Sequence, residues 1–335
     1  MNIKNYIFND ASLISLVSVF ILTLVVCAIC FGGTMYSVAN IQSMGFQIPE
    51  IGLISLAMML AFLVGGIDLS IVANACLSGI LVSSLLTGSI FPSLDPSARI
   101  ILVCIFTLLI STFLGFINGF IISSCAVSSL IATLGTMTLY SGIGLVITGG
   151  KSIVGFPEAY TNIGIYTIYG VPLIFIFFIL IVILFSFVLE KTRVGRQIYL
   201  FGENPVSSLF SGINNTKVNI LIFSSIGFIA GLVSLIITMR VNSIKVGYGD
   251  AYIFQSLIIC VIAGIHPAGG RGKVVGIAIT AVLMQIAASA FTIMQLSPYT
   301  TKLIWGFMLI TVLTLTKDGR KLFSVLRLHR IPNKH

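Results

Sequence analysis

An aspartate lies between two long apolar segments of the chain, in the glycine-rich segment G-G-I-D-L-S formed by residues 65–70. A charged side chain at the centre of a bilayer costs about 2.5–3.5 kcal/mol, so Asp68 needs a hydrogen-bond donor or water. Two glycines before an aspartate favour a helix break, after which the carboxylate caps the next helix. Two interpretations stay open: a cap at a tight turn, or a broken helix beside a path for a polar solute.

Other polar side chains that could line such a path are scattered through the apolar segments. Thr133, Thr136 and Tyr140 fall on one helical face, with Gly135 and Gly142 beside it. Small and hydroxylated residues on membrane helices serve close helix packing, and a hydroxyl-lined path is the alternative. With Asp68, the candidate path residues are Ser70, Asn74, Asn118, Thr133, Thr136, Gln255 and Gln285.

The residue types that mark enzymes and metal sites form no constellation in the sequence. Cys27 and Cys30 have C-x-x-C spacing, but no second pair or histidine stands at ligand spacing, so we interpret them as buried small side chains. His266 has apolar neighbours and no carboxylate or cysteine at ligand spacing, which favours an ordinary loop residue. Residues 149–152 resemble the end of a P-loop, but Leu145 occupies the position of its first glycine. We expect no catalytic residues, no metal and no cofactor.

Composition decides the broad class of protein. The 335 residues are 57% hydrophobic and 8% charged, with a mean hydropathy of +1.14. Soluble proteins carry roughly 25% charged residues, so these values exclude a water-soluble protein. The net charge of +9 is spread over loops instead of one folded face, which argues against nucleic acid as a partner.

The predicted fold is an all-α, polytopic membrane protein with one transmembrane domain over residues 1–335. We expect about ten transmembrane helices, within a range of eight to ten, because each crossing needs about 20 apolar residues. The predicted crossings are 11–33, 46–64, 71–88, 99–123, 129–149, 171–190, 219–239, 250–265, 274–294 and 302–316. Basic connections stay in the cytoplasm, which places both termini, the loop 190–218 and the basic tail 317–335 on that side.

A short amphipathic helix is predicted inside the loop 190–218. Asn204 is a good N-cap, Pro205 suits the first helical position, and Gly212 suits the exit. Val206, Leu209, Phe210 and Ile213 recur with helical spacing, whereas Ser207, Ser208 and Ser211 take the other side. A helix this short needs a surface to lie against. That surface is either the lipid or the chain's own membrane domain, or a separate cytoplasmic protein.

Four motifs in order resemble the ribose-type sugar permeases of ABC transporters. They are G-G-I-D-L-S (65–70), I-A-T-L-G-T-M-T-L-Y-S-G (131–142) with T-G-G-K (148–151), G-R-Q-I-Y-L-F-G-E-N-P (195–205) with S-G-I (211–213), and A-G-G-R-G-K-V-V-G (268–276). The resemblance covers about residues 45–316. Branched-chain amino-acid permeases are similar in architecture, but the first two motifs resemble the sugar branch.

The resemblance implies an importer subunit in a bacterial inner (plasma) membrane, with a cytoplasmic ABC ATPase, an extracytoplasmic sugar-binding protein and a second permease subunit as partners. The loop that contacts the ATPase in that family corresponds to Thr192 through Ile213. The implied coupling residues are Thr192, Gly195, Arg196, Tyr199, Gly202, Asn204, Pro205, Val206, Leu209, Phe210, Gly212 and Ile213.

Two departures from the family pattern bear on the second subunit. Residues 206–208 are Val-Ser-Ser where the family usually has Glu-Ala-Ala, and residues 71–72 are Ile-Val where it usually has Val-Gly. They suggest one divergent half of a heterodimer, and a homodimer remains open.

Two other functions compete with an ATP-driven sugar importer. A secondary carrier or facilitator would need intramembrane charges for ion coupling, and Asp68 is the one strong candidate. A membrane-embedded enzyme would need paired acids, a metal cluster or an activated nucleophile, and none is visible. The identity of the sugar does not follow from the sequence, because Trp305 is the single tryptophan and no aromatic cluster marks a sugar platform.

Overall fold

The computed structural model describes residues 11–87 and 95–315 and is 79% helical. The predicted all-α architecture is confirmed, since the described residues contain only four strands, each of two residues. Lys4 and the predicted basic tail 317–335 lie outside the described residues.

Thirteen helices follow one another through the described residues. In chain order they are α1 (Ala11–Met35), α2 (Val38–Leu63), α3 (Ile71–Leu86), α4 (Pro96–Ser124), α5 (Ser129–Thr148), α6 (Glu158–Ile165), α7 (Leu173–Lys191), α8 (Arg193–Glu203), α9 (Pro205–Phe210), α10 (Asn215–Val241), α11 (Asp250–Ile262), α12 (Val274–Ile293) and α13 (Pro298–Leu315). The strands are β1 (Ile153–Val154), β2 (Thr167–Ile168), β3 (Val171–Pro172) and β4 (Ser243–Ile244).

Seven of these helices are long and apolar enough to cross a membrane: α1 over Leu16–Met35, α2, α4, α5, α7, α10 and α12. The chain is therefore a multi-pass membrane protein. These seven do not reach the expected count of about ten: α3 and α11 are apolar but only 16 and 13 residues long, and α13 is not among the helices that qualify.

Helix α2 forms the centre of the bundle, and α10 packs beside it and against α4. Of the most apolar 18-residue segment of α2, 89% is buried. The same share is 28% in each of α4, α5 and α7, so these three helices lie at the periphery. Helices α4 and α10 approach closely through small residues: a methyl group at Gly115 would meet the backbone of Gly227, and one at Gly231 would meet Ser111. Small residues allow this approach in membranes, where van der Waals packing drives helix association.

The connections gather at two ends of the bundle. At one end, Gly270 N donates to Leu63 O at 3.0 Å, which joins the break after α2 to the break after α11. At the other end, β1 pairs antiparallel with β4, and Phe156 N donates to Asn242 Oδ1 at 2.8 Å. The glycine-rich break expected at residues 65–70 is confirmed, and a second glycine-rich break, over residues 264–273, meets it at the same end.

The start of α2 differs from the prediction. Helix α2 begins at Val38 and not near residue 46, because Ser37 caps it and two polar side chains of its first turns find partners on α12. Asn40 Oδ1 accepts from Ser289 Oγ at 2.9 Å, and Gln47 Oε1 accepts from Gln285 Nε2 at 3.1 Å. Asn40, outside the predicted crossing, and Gln47, at its start, are thus both paired with α12.

Candidate functional site

The predicted short helix between the two halves of the chain is α9, and its cap is confirmed. Asn204 Oδ1 accepts from Val206 N and Ser207 N, both at 3.0 Å, and Pro205 occupies the first turn. These bonds satisfy two of the amides that a helix start leaves unpaired. Gly212 follows the helix with φ 78°, as its predicted place at the exit requires.

Three apolar side chains of α9 point away from the bundle. Val206 is 62% exposed, Leu209 59% and Phe210 90%. Exposed apolar side chains that cluster on one surface mark an interaction site, whereas scattered single ones are ordinary. We call Val206, Leu209 and Phe210 the apolar face of α9.

The predicted membership of this face is wrong at one residue. Ile213 is buried at 7% exposure, because α9 ends at Phe210 and the turn at Gly212 directs the chain back into the bundle. Ser208, predicted on the other side of the helix, is 2% exposed there, and its Oγ lies 2.7 Å from Asn215 Oδ1. The serine therefore fastens α9 to the start of α10.

Helix α8, which the sequence analysis did not predict, supports α9. Thr192 Oγ1 accepts from Gly195 N at 3.2 Å and so caps α8. Gly195 lies against the backbone of Leu189, leaving no room for a side chain. Tyr199 donates its hydroxyl to Gly272 O at 2.7 Å, and burial raises the pKa of this tyrosine to about 12. Of the residues implied for coupling, Thr192, Gly195 and Tyr199 thus hold α8 on the bundle.

The end of α8 lies where the two glycine-rich breaks meet. A methyl group at Gly202 would meet Leu63 O and Gly270 N, so only glycine fits there. Glu203 forms an ion pair with Arg271 at 3.6 Å, and both side chains are exposed, so this pair contributes little stability. A displacement of α8 and α9 would therefore act directly on the end of α2 and on the connection before α12. Arg196 is exposed on α8 and takes no part in this junction.

Asp68 lies in the break between α2 and α3 and is buried with a small set of donors. Its Oδ1 accepts from Ser70 N at 2.8 Å and from Ser70 Oγ at 2.7 Å. Asn118 of α4 donates to Ser70 Oγ at 2.8 Å. The expected cap is displaced by two residues: Ser70 is the N-cap of α3, and the Asp68 carboxylate binds the Ser70 amide just before the helix. Asp68 therefore closes the turn into α3.

Thr133 of α5 clamps the same break. Its Oγ1 accepts from Leu69 N at 3.2 Å, and Ser129 Oγ accepts from Ile67 N at 3.1 Å. Thr136 and Tyr140 are buried on the same face, so Thr133, Thr136 and Tyr140 pack against neighbouring helices. The packing interpretation of this face is thereby supported by its contacts.

The remaining candidates divide into two places. Asn74 Nδ2 donates to Ser111 O at 3.0 Å beside the Asp68 group, and both Asn74 Oδ1 and Asn118 Oδ1 lack a hydrogen-bond donor among the described residues. Gln285 bonds Gln47 instead, and Gln255 is buried on α11. Within the described residues, the structure joins Asp68, Ser70, Asn118 and Thr133 and leaves the two glutamines apart.

A buried ion pair was missed by the sequence analysis. Glu50 of α2 has no exposed surface, and its Oε1 accepts from Arg240 Nε at 2.6 Å. Tyr252 donates to Glu50 Oε2 at 3.4 Å, and Arg240 donates to the hydroxyl of Tyr248 at 3.2 Å. Asp68 is therefore not the single strong intramembrane acid. The signal was present as Pro49-Glu50 in an otherwise apolar stretch.

No arrangement of side chains typical of an enzyme's catalytic site is found in the described part of the chain. No group of three or more His, Cys, Asp or Glu residues is arranged there to hold a metal ion. The arrangement instead combines an apolar membrane bundle, a buried polar break and a supported surface helix with an exposed apolar face.

Comparison with known proteins identifies the family. Residues 40–313 match the family described as branched-chain amino acid transport system / permease component. The chain is similar to the ribose import permease protein of Haemophilus influenzae, at 32% identity over 79% of this chain and 80% of that protein. It is 31% identical to the ribose import permease protein of Bacillus subtilis, over 83% of this chain and 84% of that protein.

The D-allose transport system permease protein of Escherichia coli is 28% identical over 83% of each chain. No solved structure gives a significant match. The resemblance to ribose-type permeases is thus confirmed, and the relatives are transport permeases and not enzymes. The chain belongs to the family of branched-chain amino acid transport system permease components, as a multi-pass subunit of the inner membrane.

Proposed function

We propose that the chain is the permease of an ATP-driven importer for a sugar or a related small polar solute. The observation that carries this proposal is the exposed apolar face of α9. The helix is capped, and α8 behind it contacts the end of α2 and the connection before α12. A transporter that works alone has no use for such a surface. The matched relatives import ribose and allose, which supports a sugar as the solute.

A cytoplasmic ABC ATPase is the partner we assign to the apolar face of α9. Leu209 and Phe210 would insert into a groove on the ATPase, as an amphipathic helix binds a hydrophobic groove. Residues 190–218 then form the coupling loop of a single permease domain. Movement of α9 would pass through α8 to Gly202 and on to Leu63, at the break that contains Asp68.

We expect ten membrane crossings with both termini in the cytoplasm, because the connections between helices gather at two ends of the bundle. Helix α11 starts next to β4 at one end and finishes at Ile262, before the break that bonds Leu63 at the other. Helix α3 starts at the Asp68 break and passes Ile244 of β4 at Gly79. Both short helices therefore connect opposite ends, and α3, α11 and α13 added to the seven long helices give ten.

The solute is proposed to pass near the Asp68 break. The unpaired amide oxygens of Asn74 and Asn118 are acceptors for water or a sugar hydroxyl, and buried acceptors without partners are costly unless occupied. Trp305 packs on Phe291 with ring centroids 5.3 Å apart, so it offers no free sugar platform. An extracytoplasmic binding protein would then provide selectivity.

A second permease subunit, identical or homologous, is proposed to pack on α5. Gly135 and Gly142 lie on its outer side, where added methyl groups would meet nothing within 4 Å. They line a groove of about 640 Å³ together with Leu139 and Val146. Grooves of small residues allow membrane helices to approach closely.

Reconstitution tests the proposal. Proteoliposomes containing the chain should take up radiolabelled ribose only when the ATPase, ATP and the binding protein are all supplied. A catalytically dead ATPase provides the matched control. Uptake by the chain alone would contradict the proposal and favour a secondary carrier, for which Glu50 and Asp68 would be the candidate coupling acids.

A further inference from the structure

A cleft of about 470 Å³ opens where α7 meets α8 and the connection before α12. Leu189 and Leu200 supply an apolar part, and Arg196 and Lys273 supply a basic part. Tyr199 forms one wall, which is fixed because its hydroxyl donates to Gly272 O at 2.7 Å. The cleft therefore combines cationic and apolar surface in one place.

The cleft lies where the membrane bundle meets the aqueous phase. Helix α7 is peripheral, and Leu180, Ile183, Leu184 and Phe187 are exposed along it toward the cleft. Helix α8 buries Ile198 and exposes Arg196, as expected of an amphipathic helix lying in the membrane interface. An amphiphile could thus place its polar head on α8 and its chains along α7.

We propose that this cleft binds one anionic phospholipid, with the phosphodiester at Arg196 and Lys273 and the acyl chains along α7. Guanidinium groups match phosphate oxygens in geometry, and basic clefts between membrane helices bind anionic headgroups. Leu200 in the cleft and the exposed apolar side chains of α7, Phe187 among them, distinguish a lipid from free phosphate, which would use only the basic part. Glu190 also lines the cleft and opposes an anion, so net attraction comes from the two cations.

A lipid titration tests this site without the ATPase. The full-length chain, purified in a zwitterionic detergent, is titrated with dioctanoyl phosphatidylglycerol, and native mass spectrometry gives the stoichiometry and Kd. We expect one tightly bound phosphatidylglycerol and clearly weaker binding of phosphatidylcholine with the same chains. Arg196→Gln should raise the Kd about fivefold, which is the equivalent of about 1 kcal/mol per basic residue. Glu190→Gln should lower it.

The matched control is Arg193→Gln, since Arg193 is exposed on the same helix but does not line the cleft. Its Kd should stay within about twofold of wild type, a small change on the affinity scale. An equal loss in Arg193→Gln and Arg196→Gln would overturn the site in favour of diffuse charge. Competition by equimolar inorganic phosphate would overturn the lipid as its occupant. Unchanged lipid binding in Arg196→Gln would overturn the lipid site. If the same variant also failed to bind the ATPase in a separate binding assay, the cleft would belong to the ATPase contact.

Discussion

Replacing Arg240 by glutamine removes the cation that compensates a fully buried carboxylate. Glu50 has no exposed surface and lies 2.6 Å from the Arg240 guanidinium, with the hydroxyl of Tyr252 as its second donor at 3.4 Å. Removing one partner of a buried ion pair costs about 3–5 kcal/mol, because the other charge stays desolvated. Arg240 is 22% exposed, so water reaches its side and we expect the lower end, about 3 kcal/mol.

Thermal unfolding followed with a thiol-reactive dye measures this loss. Cys76 and Cys260 are buried and should react only on unfolding, once the exposed Cys30 and Cys125 and the partly exposed Cys104 are replaced by serine. Arg240→Gln should unfold several degrees below the parent. Lys245→Gln removes an exposed cation from the connection after the same helix and should leave the unfolding temperature unchanged.

The double variant separates charge from packing. Glu50→Gln in the Arg240→Gln background replaces the stranded charge with a neutral amide that can still hydrogen-bond. It should recover much of the lost stability, as a coupled pair does in a double-mutant cycle. Unfolding of Arg240→Gln at the parent temperature would refute this reasoning, and so would a double variant no more stable than Arg240→Gln.

Three further predictions concern the break, the junction and the topology. Asp68→Leu should reduce transport far more than Asp68→Asn, since asparagine keeps an acceptor for the Ser70 amide, and a buried donor left without a partner costs about 1–3 kcal/mol. Equal losses would mean that the charge is required. Gly202→Ala should release the surface helices to limited proteolysis, because the methyl group meets backbone on two sides, and an unchanged digest would refute that contact. In intact cells on a cysteine-free background, an impermeant thiol reagent should label Ser152→Cys and not Ser207→Cys, whose side chain is exposed; the reverse would invert the assignment of sides.

The sequence was sufficient where local signals decide structure. Apolar length placed most membrane helices, and Asn204 with Pro205 placed the start of α9. The glycine-rich segment 65–70 placed the first break, and the positive φ at Gly65, Gly264 and Gly269 explains why both breaks need glycine.

Structure was needed where a partner distant in sequence decides the outcome. Glu50 and Arg240 are 190 positions apart, and no periodicity links them. Asn40 lies in a predicted connection and Gln47 at the start of a predicted crossing, and neither position shows that Ser289 and Gln285 lie opposite them. Ser208 reads as a surface serine until Asn215 is brought to its hydroxyl. Helical spacing alone could not show that α9 stops after six residues, which moved Ile213 from the exposed face to the core.

The affinity of the ATPase for the permease, with and without the apolar face of α9, tests the central claim most directly. Burying a leucine or phenylalanine side chain contributes about 1.5–3 kcal/mol, so Leu209→Ala and Phe210→Ala should each weaken association by about ten- to a hundredfold. Both side chains are exposed in the chain itself, so the variants should insert and fold as the parent does. Tyr169→Ala removes an equally exposed aromatic at the opposite end and should not change the affinity. Binding of the ATPase to both α9 variants with parental affinity would contradict the account and leave α9 as an element of the membrane surface.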